Sequence, residues 1–194
     1  MVGVEYIGTE RNEMSPTDDT CLSCKRQEAK ISPVMVMSVE NRGILNACSC
    51  ILKLYQLEHS KKHEERLRQM IHLLPEMRSH YRKKEELFLP LFEDLGRDGE
   101  KEKEKDRQVL NGIDRVLGLE KEKSPYDFET ELLDVCQNSL ILAKEENTDF
   151  LITCYHNLTL DEMDSIGRRI PSYGYTFLSV KPKPEDLISR IIEE

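Results

Sequence analysis

Apolar residues in the first part of the chain recur every three or four positions, which is the spacing of one face of an α-helix. The stretch follows Ser32-Pro33, where the serine hydroxyl can cap a helix and proline suits the first helical position. The apolar residues at this spacing are Val36, Val39, Ile44, Ala47, Ile51, Leu54 and Leu57. The pattern predicts a first helix that starts at Pro33 and ends near Leu57.

A second helical pattern begins near Lys61 and extends to about Leu95. We expect interruptions or bends at Pro75 and Pro90, because proline cannot donate a helical hydrogen bond. Residues 100–117 begin as a solvated charge run and end with apolar residues at helical spacing, so they predict a third helix. Gly118 follows as its natural C-cap.

The fourth long helix is expected to open at Ser124-Pro125-Tyr126-Asp127, which is similar to a capping box. Thr159-Leu160-Asp161-Glu162 predicts a further short helix for the same reason, and Pro184 opens a final amphipathic one. Four long helices and several short ones, joined by short loops, predict an all-α fold with an up-down four-helix bundle.

The domain organisation follows from where these patterns begin and end. We assign residues 1–30 to a polar N-terminal arm, residues 31–160 to the four-helix bundle, and residues 161–194 to short C-terminal helices and a tail. Lys and Glu abound while aromatic residues make up only 6% of the chain, a composition that favours helix over sheet.

The charge and hydropathy of the chain limit the cellular locations and the binding partners that we expect for it. The formal net charge of −9 argues against a nucleic acid as partner. No apolar run approaches the roughly 18 residues that a membrane-spanning helix needs. The N-terminus lacks a basic region followed by an apolar stretch, so we expect no secretory signal and a cytoplasmic location.

Three segments of the chain carry the motifs of one protein family in the same order. The first runs from Ser32-Pro33-Val34 to Glu40-Asn41. The second is His80-Tyr81-Arg82-Lys83-Lys84-Glu85-Glu86 followed by Leu89-Pro90. The third is Lys144-Glu145-Glu146 followed by Leu158-Thr159, Glu162 and Gly174-Tyr175. Together they resemble the hemerythrin-like (HHE cation-binding) family, particularly the branch often found beside PAS sensor domains.

The resemblance implies a four-helix bundle that holds two irons between its helices, for oxygen or nitric oxide binding, iron sensing or redox repair. Most of the histidines that this site needs are replaced here. Ser32 stands at the first-helix position, Asn111 or Leu110 at the third-helix position, and Ile141 one turn before Glu145. The resemblance thus implies a degenerate metal site.

Four residues remain at family ligand positions: His80, Glu85, Glu145 and Glu146. Lys84 lies one helical turn after His80, so its ammonium group is expected on nearly the same helix face. It could supply the positive charge of a lost metal and pair with Glu145 or Glu146, or it could extend to solvent. We interpret His80 as a hydrogen-bonded histidine rather than a ligand.

The cysteines offer a different metal or redox chemistry. Cys21-x-x-Cys24 has the spacing of a zinc or iron–sulfur ligand pair, and it could also form a dithiol–disulfide switch. Cys48 and Cys50 could complete four thiolates, although residues two apart on a helix point in nearly opposite directions. Otherwise Cys48, Cys136 and Cys154 are expected to be plain buried cysteines.

The preferred interpretation is a non-catalytic hemerythrin-like module without a cofactor, which acts as a structural or regulatory protein-binding subunit of a larger assembly. No glycine-rich phosphate loop and no G-x-S-x-G motif occurs in the sequence, so we do not expect an enzyme. The alternative is a metal-dependent sensor of oxygen, nitric oxide or redox state. It would require His80, Glu85, Glu145 and His156 to converge on iron, or the cysteines to hold an iron–sulfur cluster.

Overall fold

A computed structural model of the protein describes residues 32–56, 61–122 and 125–177. These ranges contain helices and turns and no strand, which confirms the all-α fold class. The helices are α1 Pro33–Gln56, α2 Lys61–Ile71, α3 Met77–Lys83, α4 Leu89–Asp94, α5 Gly99–Glu122, α6 Pro125–Glu145, α7 Leu151–Asn157 and α8 Leu160–Arg169. The predicted N-terminal arm, with Cys21 and Cys24, and the helix predicted from Pro184 lie outside the described residues.

Two pairs of helices are each joined into one uninterrupted helical run by a widened π-turn. The first π-turn, Lys84–Phe88, joins α3 to α4, and the second, Glu146–Phe150, joins α6 to α7. Pro90 is the second residue of α4 and lies two positions after the end of the first π-turn. The break expected at Pro75 is present, because Leu74–Glu76 forms a short 3-10 turn between α2 and α3.

The long helices pack side by side, with α6 lying against both α1 and α5 and with α1 also contacting α2. One contact between α5 and α6 is especially close: a Cβ atom added to Gly112 would clash with a methyl group of Val135. Gly118, in contrast, does not end α5, and the prediction of a C-cap there was wrong. The helix continues to Glu122 because a single glycine costs a helix only about 1 kcal/mol.

The described core residues form two apolar clusters, which a polar layer separates along α1 and along each of the two helical runs. In α1, Met37 belongs to one cluster and Ile44 to the other. Along the first helical run Met77 and Phe88 are divided in the same way, and Ala143 and Phe150 along the second. The positions between these residues hold the polar side chains described below.

The last described helix begins at the expected place. Thr159 accepts a hydrogen bond from the backbone N–H of Glu162, and the Glu162 carboxylate accepts one from the backbone N–H of Thr159. This is the predicted capping box. None of the helices in the described ranges combines the length and the apolar composition that a membrane crossing needs.

Candidate functional site: a buried ion-pair network

Among the described residues, six charged ones meet between the helices, each no more than 5% exposed. Glu40 comes from α1, His80 and Lys83 from α3, Lys84 and Glu146 from the two π-turns, and Asp106 from α5. We call this set the buried network. Unpaired charges are expensive to bury, so the stability of the network depends on how completely each charge is paired.

The imidazole of His80 lies between two carboxylates at the centre of the network. Its Nδ1 atom is 3.0 Å from Glu40 Oε2, and its Nε2 atom is 2.9 Å from Glu146 Oε2. Burial alone would lower the pKa of His80, but the charges and hydrogen bonds of Glu146 and Glu40 raise it to about 9. The ring is therefore an imidazolium at neutral pH, and both of its N–H groups donate to carboxylates.

The ammonium group of Lys84 has a carboxylate partner for each of its three protons. Its Nζ atom donates to Glu146 Oε1 at 2.8 Å, to Asp106 Oδ1 at 2.8 Å and to Glu102 Oε2 at 3.1 Å. Glu102, with a side chain 14% exposed, lies at the rim of the network. Burial opposes the charged form of Lys84, but Glu146 and Asp106 outweigh it and raise the pKa of this lysine. Lys84 is accordingly a fixed internal cation.

Lys83 is also buried but serves a different part of the network. Its Nζ atom donates to Glu40 Oε1 and, at 2.7 Å, to the backbone carbonyl of Gly174. Burial lowers the pKa of Lys83, and the attraction of Glu40 only partly offsets this effect. Neighbouring residues of a helix point about 100° apart, so the two consecutive lysines reach different carboxylates.

The three buried carboxylates experience opposite pKa shifts. Burial raises the pKa of Glu40 and of Glu146, but His80 and the lysines outweigh it, and the net shift is downward for both. Burial also raises the pKa of Asp106, and there Lys84 does not compensate, so the net shift is upward. Among the described residues, neither Asp106 Oδ2 nor the hydroxyl group of Tyr81 has a hydrogen-bond partner. Asp106 is therefore the least satisfied acid of the network.

The structure divides the four residues that the resemblance implied as metal ligands into two pairs. His80 and Glu146 belong to the buried network, whereas Glu85 and Glu145 are exposed. Glu145 is 52% exposed and pairs with Lys105 at 2.8 Å. Of the two pairings expected for Lys84, the one with Glu146 is present, and its complete burial excludes an extension to solvent. Glu85 and Glu145 each lie one residue from a network member, and that single step turns their side chains to the surface.

The set of residues required by the sensor alternative does not come together. His156 is exposed and lies edge-to-face with Tyr155, and Glu85 and Glu145 are exposed as well, while His80 is fully buried. Within the described ranges no three His, Cys, Asp or Glu side chains are grouped to hold a metal ion. The donor set of the network also does not suit iron, because it offers a single imidazole and because the ammonium group of Lys84 lies between the carboxylates.

Three members of the network were not singled out from the sequence: Glu40, Lys83 and Asp106. Glu40 was noticed only as a motif residue at the end of the first segment. Lys83 and Asp106 lie within charged runs, which usually mark a solvated helix face. A usable signal for Asp106 is its place one turn before the apolar face of α5 that starts at Val109.

The described cysteines are free thiols. Cys48, Cys136 and Cys154 are buried, as expected for plain core cysteines, and Cys50 is half-buried. A hydrogen bond with Cys48 and burial raise the pKa of the Cys136 thiol. Burial raises the pKa of Cys154 to about 12. Thiols with raised pKa values and no access to solvent are poor nucleophiles and poor metal ligands.

No protein-family model matches the chain, and no curated protein matches it either. Each proton of Lys84 has an acceptor and both ring nitrogens of His80 are hydrogen-bonded, so the described arrangement pairs internal charges and leaves no ring nitrogen free.

Proposed function

We propose that the chain is a degenerate hemerythrin-like, up-down four-helix bundle in which the buried network replaces the metal centre. It acts without a cofactor, as a non-catalytic structural or regulatory module that binds a protein partner in a larger assembly. We place this module in the cytoplasm, and we expect no nucleic acid among its partners, given the net charge of −9.

The observation that carries the proposal is the position of Lys84. Its Nζ atom lies within 3.1 Å of oxygens from Glu102, Asp106 and Glu146. A divalent cation would need the same carboxylate oxygens, and at such distances two cations repel each other strongly in a weakly polarisable interior. The ammonium group thus satisfies the acidic side chains in the way that a metal would.

A structural role also agrees with the energetics of buried charges. Apolar side chains of similar volume often give equal or better stability than a buried ion pair, so such pairs are weak evidence of stability alone. Buried ion pairs do, however, define which groups must lie opposite each other. Here α1, α3, α5 and the turn after α6 each contribute a charge, and any other alignment of these elements would leave a buried charge unpaired.

A binding role is supported by apolar side chains exposed on α7 and α8. Ile152 and Tyr155 are exposed one helical turn apart, and Leu160, the first residue of α8, is 86% exposed. Residues three apart on a helix share a face. Exposed apolar groups near one another often mark protein-binding surfaces.

Iron analysis tests the replacement of the metal centre. The chain would be purified without oxygen, incubated with ferrous iron, passed through a desalting column and analysed for bound metal. We expect much less than one iron per chain for the natural sequence. The variant Lys84→Gln should retain more divalent metal, because removal of the ammonium leaves Asp106 and Glu146 without their main counter-charge.

The matched control is Lys103→Gln, which removes an ammonium that pairs with Glu93 and Glu100 near the surface. It should bind as little iron as the natural sequence. About two irons per chain in the unaltered protein would overturn the proposal in favour of a metal-dependent sensor. Equal retention by the Lys84 and Lys103 variants would show that Lys84 does not stand in for a metal.

A further inference from the structure

The five residues Tyr173–Phe177, which follow α8, lie across α1 and α3 and are called the strap here. The Ser79 hydroxyl donates to the carbonyl of Tyr173 at 2.7 Å. Thr176 is fully buried, and its hydroxyl donates to the carbonyl of Glu76 at 3.2 Å. The Phe177 backbone N–H donates to the Glu76 carboxylate at 3.1 Å. The strap is thus attached mainly through its backbone.

The position of Phe177 depends on a glycine of α1. A Cβ atom added to Gly43 would lie only 3.1 Å from the Cβ atom of Phe177, closer than such atoms normally approach. A side chain at this position would require Phe177 to move away by a few tenths of an ångström. The surface of α1 is therefore shaped to receive the strap.

Two further bonds join the strap to the buried network. Lys83 Nζ donates to the carbonyl of Gly174 at 2.7 Å, and the Thr176 backbone N–H donates to Glu40 Oε1 at 3.0 Å. Lys83 and Glu40 are themselves an ion pair, and the other oxygen of Glu40 holds His80. The same carboxylate therefore binds the central imidazolium, the second lysine and the strap.

Two residues of the strap have positive φ, and for Phe177 this is a conformation that a free chain avoids. Gly174 has φ 77° and ψ 179°, a region open almost only to glycine, and Phe177 has a positive φ of 55°. A bulky residue with positive φ is disfavoured, so the surrounding contacts must maintain this shape. Loss of the contacts to Glu40 and Lys83 leaves the strap with fewer bonds to offset that cost.

We propose that the buried Glu40–Lys83 ion pair controls the attachment of the strap, so that breaking this pair releases Tyr173–Phe177 from α1 and α3. The attachment of the strap at the surface then depends on the ion pairs of the network. Because linked equilibria are reciprocal, a change that weakens the strap must also alter the environment of His80, which does not touch it.

Hydrogen–deuterium exchange tests the first direction of this coupling in the full chain. Lys83→Met keeps the length of the side chain but removes the bridge between Glu40 and Gly174. Peptides that cover the strap should then exchange about five-fold faster or more, while peptides from α5 keep their rates. The control Tyr173→Phe removes an exposed hydrogen bond from the strap to Glu86, outside the network, and should change strap exchange much less.

The variant Gly174→Ala tests the reverse direction of the coupling, from the strap to the network. It strains the strap without altering a charged group. The ring N–H resonances of His80 should shift in this variant, as followed by NMR. Unchanged strap exchange in Lys83→Met would overturn the proposal. If Lys83→Met does not fold, the Gly174 variant decides alone: unaltered His80 resonances in a folded protein would mean that the strap and the network are independent.

Discussion

His80 shows how far the surroundings of a residue can change its chemistry. An imidazole in water is mostly neutral at pH 7, whereas here Glu40 and Glu146 hold a proton on each ring nitrogen. The sequence predicted a hydrogen-bonded histidine at this position, and that is confirmed. It did not reveal the two carboxylates that bind the ring, because Glu40 and Glu146 lie in distant helices whose packing no local pattern specifies.

The raised pKa of His80 predicts that stability falls at alkaline pH. Burial lowers that pKa, but the two carboxylates raise it to about 9, against 6.5 for an ordinary histidine. Between these values the folded chain holds a proton that the unfolded chain releases. The contribution is complete below pH 6.5 and is lost as the pH rises through about 9, at up to about 1.4 kcal/mol per pH unit.

Denaturant unfolding between pH 6 and pH 10 measures this slope. His80→Gln should flatten it, while His72→Gln, at an exposed position, should leave it unchanged. An equally steep fall in the His80 variant would contradict the assignment of the proton to this ring. Ring resonances of His80 in the unaltered protein give an independent measurement, with a midpoint expected near pH 9.

The helices themselves were largely predictable. Apolar spacing indicated α1, α5 and α6, and capping residues placed the start of α8 correctly. The two π-turns were not predicted, since a widened turn has no distinct local sequence and arises from the packing on both sides of it. The apolar spacing also did not decide that Glu146, and not Glu145, reaches Lys84. The choice between neighbouring glutamates depends on tertiary packing.

Replacement of glycine by alanine should have opposite effects on stability at two positions of α5. At Gly118 an added Cβ would meet no atom within 4 Å, so Gly118→Ala should stabilise the fold by about 0.5–1 kcal/mol through helix propensity. At Gly112 the Cβ would clash with Val135 of α6, so Gly112→Ala should destabilise it by about 1–3 kcal/mol. Free energies of unfolding from urea titrations measure both. Destabilisation at Gly118 equal to that at Gly112 would contradict the close packing of α5 on α6.

For the whole molecule, the sequence predicted the fold class but not how its charges are distributed between surface and interior. The chain has 28 Lys and Arg residues and 37 Asp and Glu residues. Composition cannot tell the buried Lys83 and Lys84 from the exposed Arg82 beside them. Burial of a lysine depends on whether carboxylates from other helices meet it, which only the assembled helices determine.

The proposed binding role predicts an effect of the exposed apolar residues of α7. In an immobilised chain, Ile152→Ser combined with Tyr155→Ser should weaken partner capture roughly ten-fold or more, as expected when apolar anchors are lost. Leu95→Ser, at an exposed position at the end of α4, is the matched control and should retain capture. Equal capture by all forms would exclude α7 as the binding face. The helical content should stay unchanged in circular dichroism, since all three side chains face solvent.

The π-turns make the helical runs unequally sensitive to the loss of a residue. Each widened turn contains more residues than an α-helical turn of the same rise. Loss of one residue from Lys84–Phe88 would therefore leave an ordinary α-helical turn, with α3 and α4 in nearly the same alignment. Loss of one residue from α3 between His80 and Lys84 would instead rotate these two side chains by about 100° relative to each other, so that both could no longer face Glu146. In the evolution of such a chain, a single-codon deletion in α3 could therefore separate the charges as effectively as replacement of the lysine.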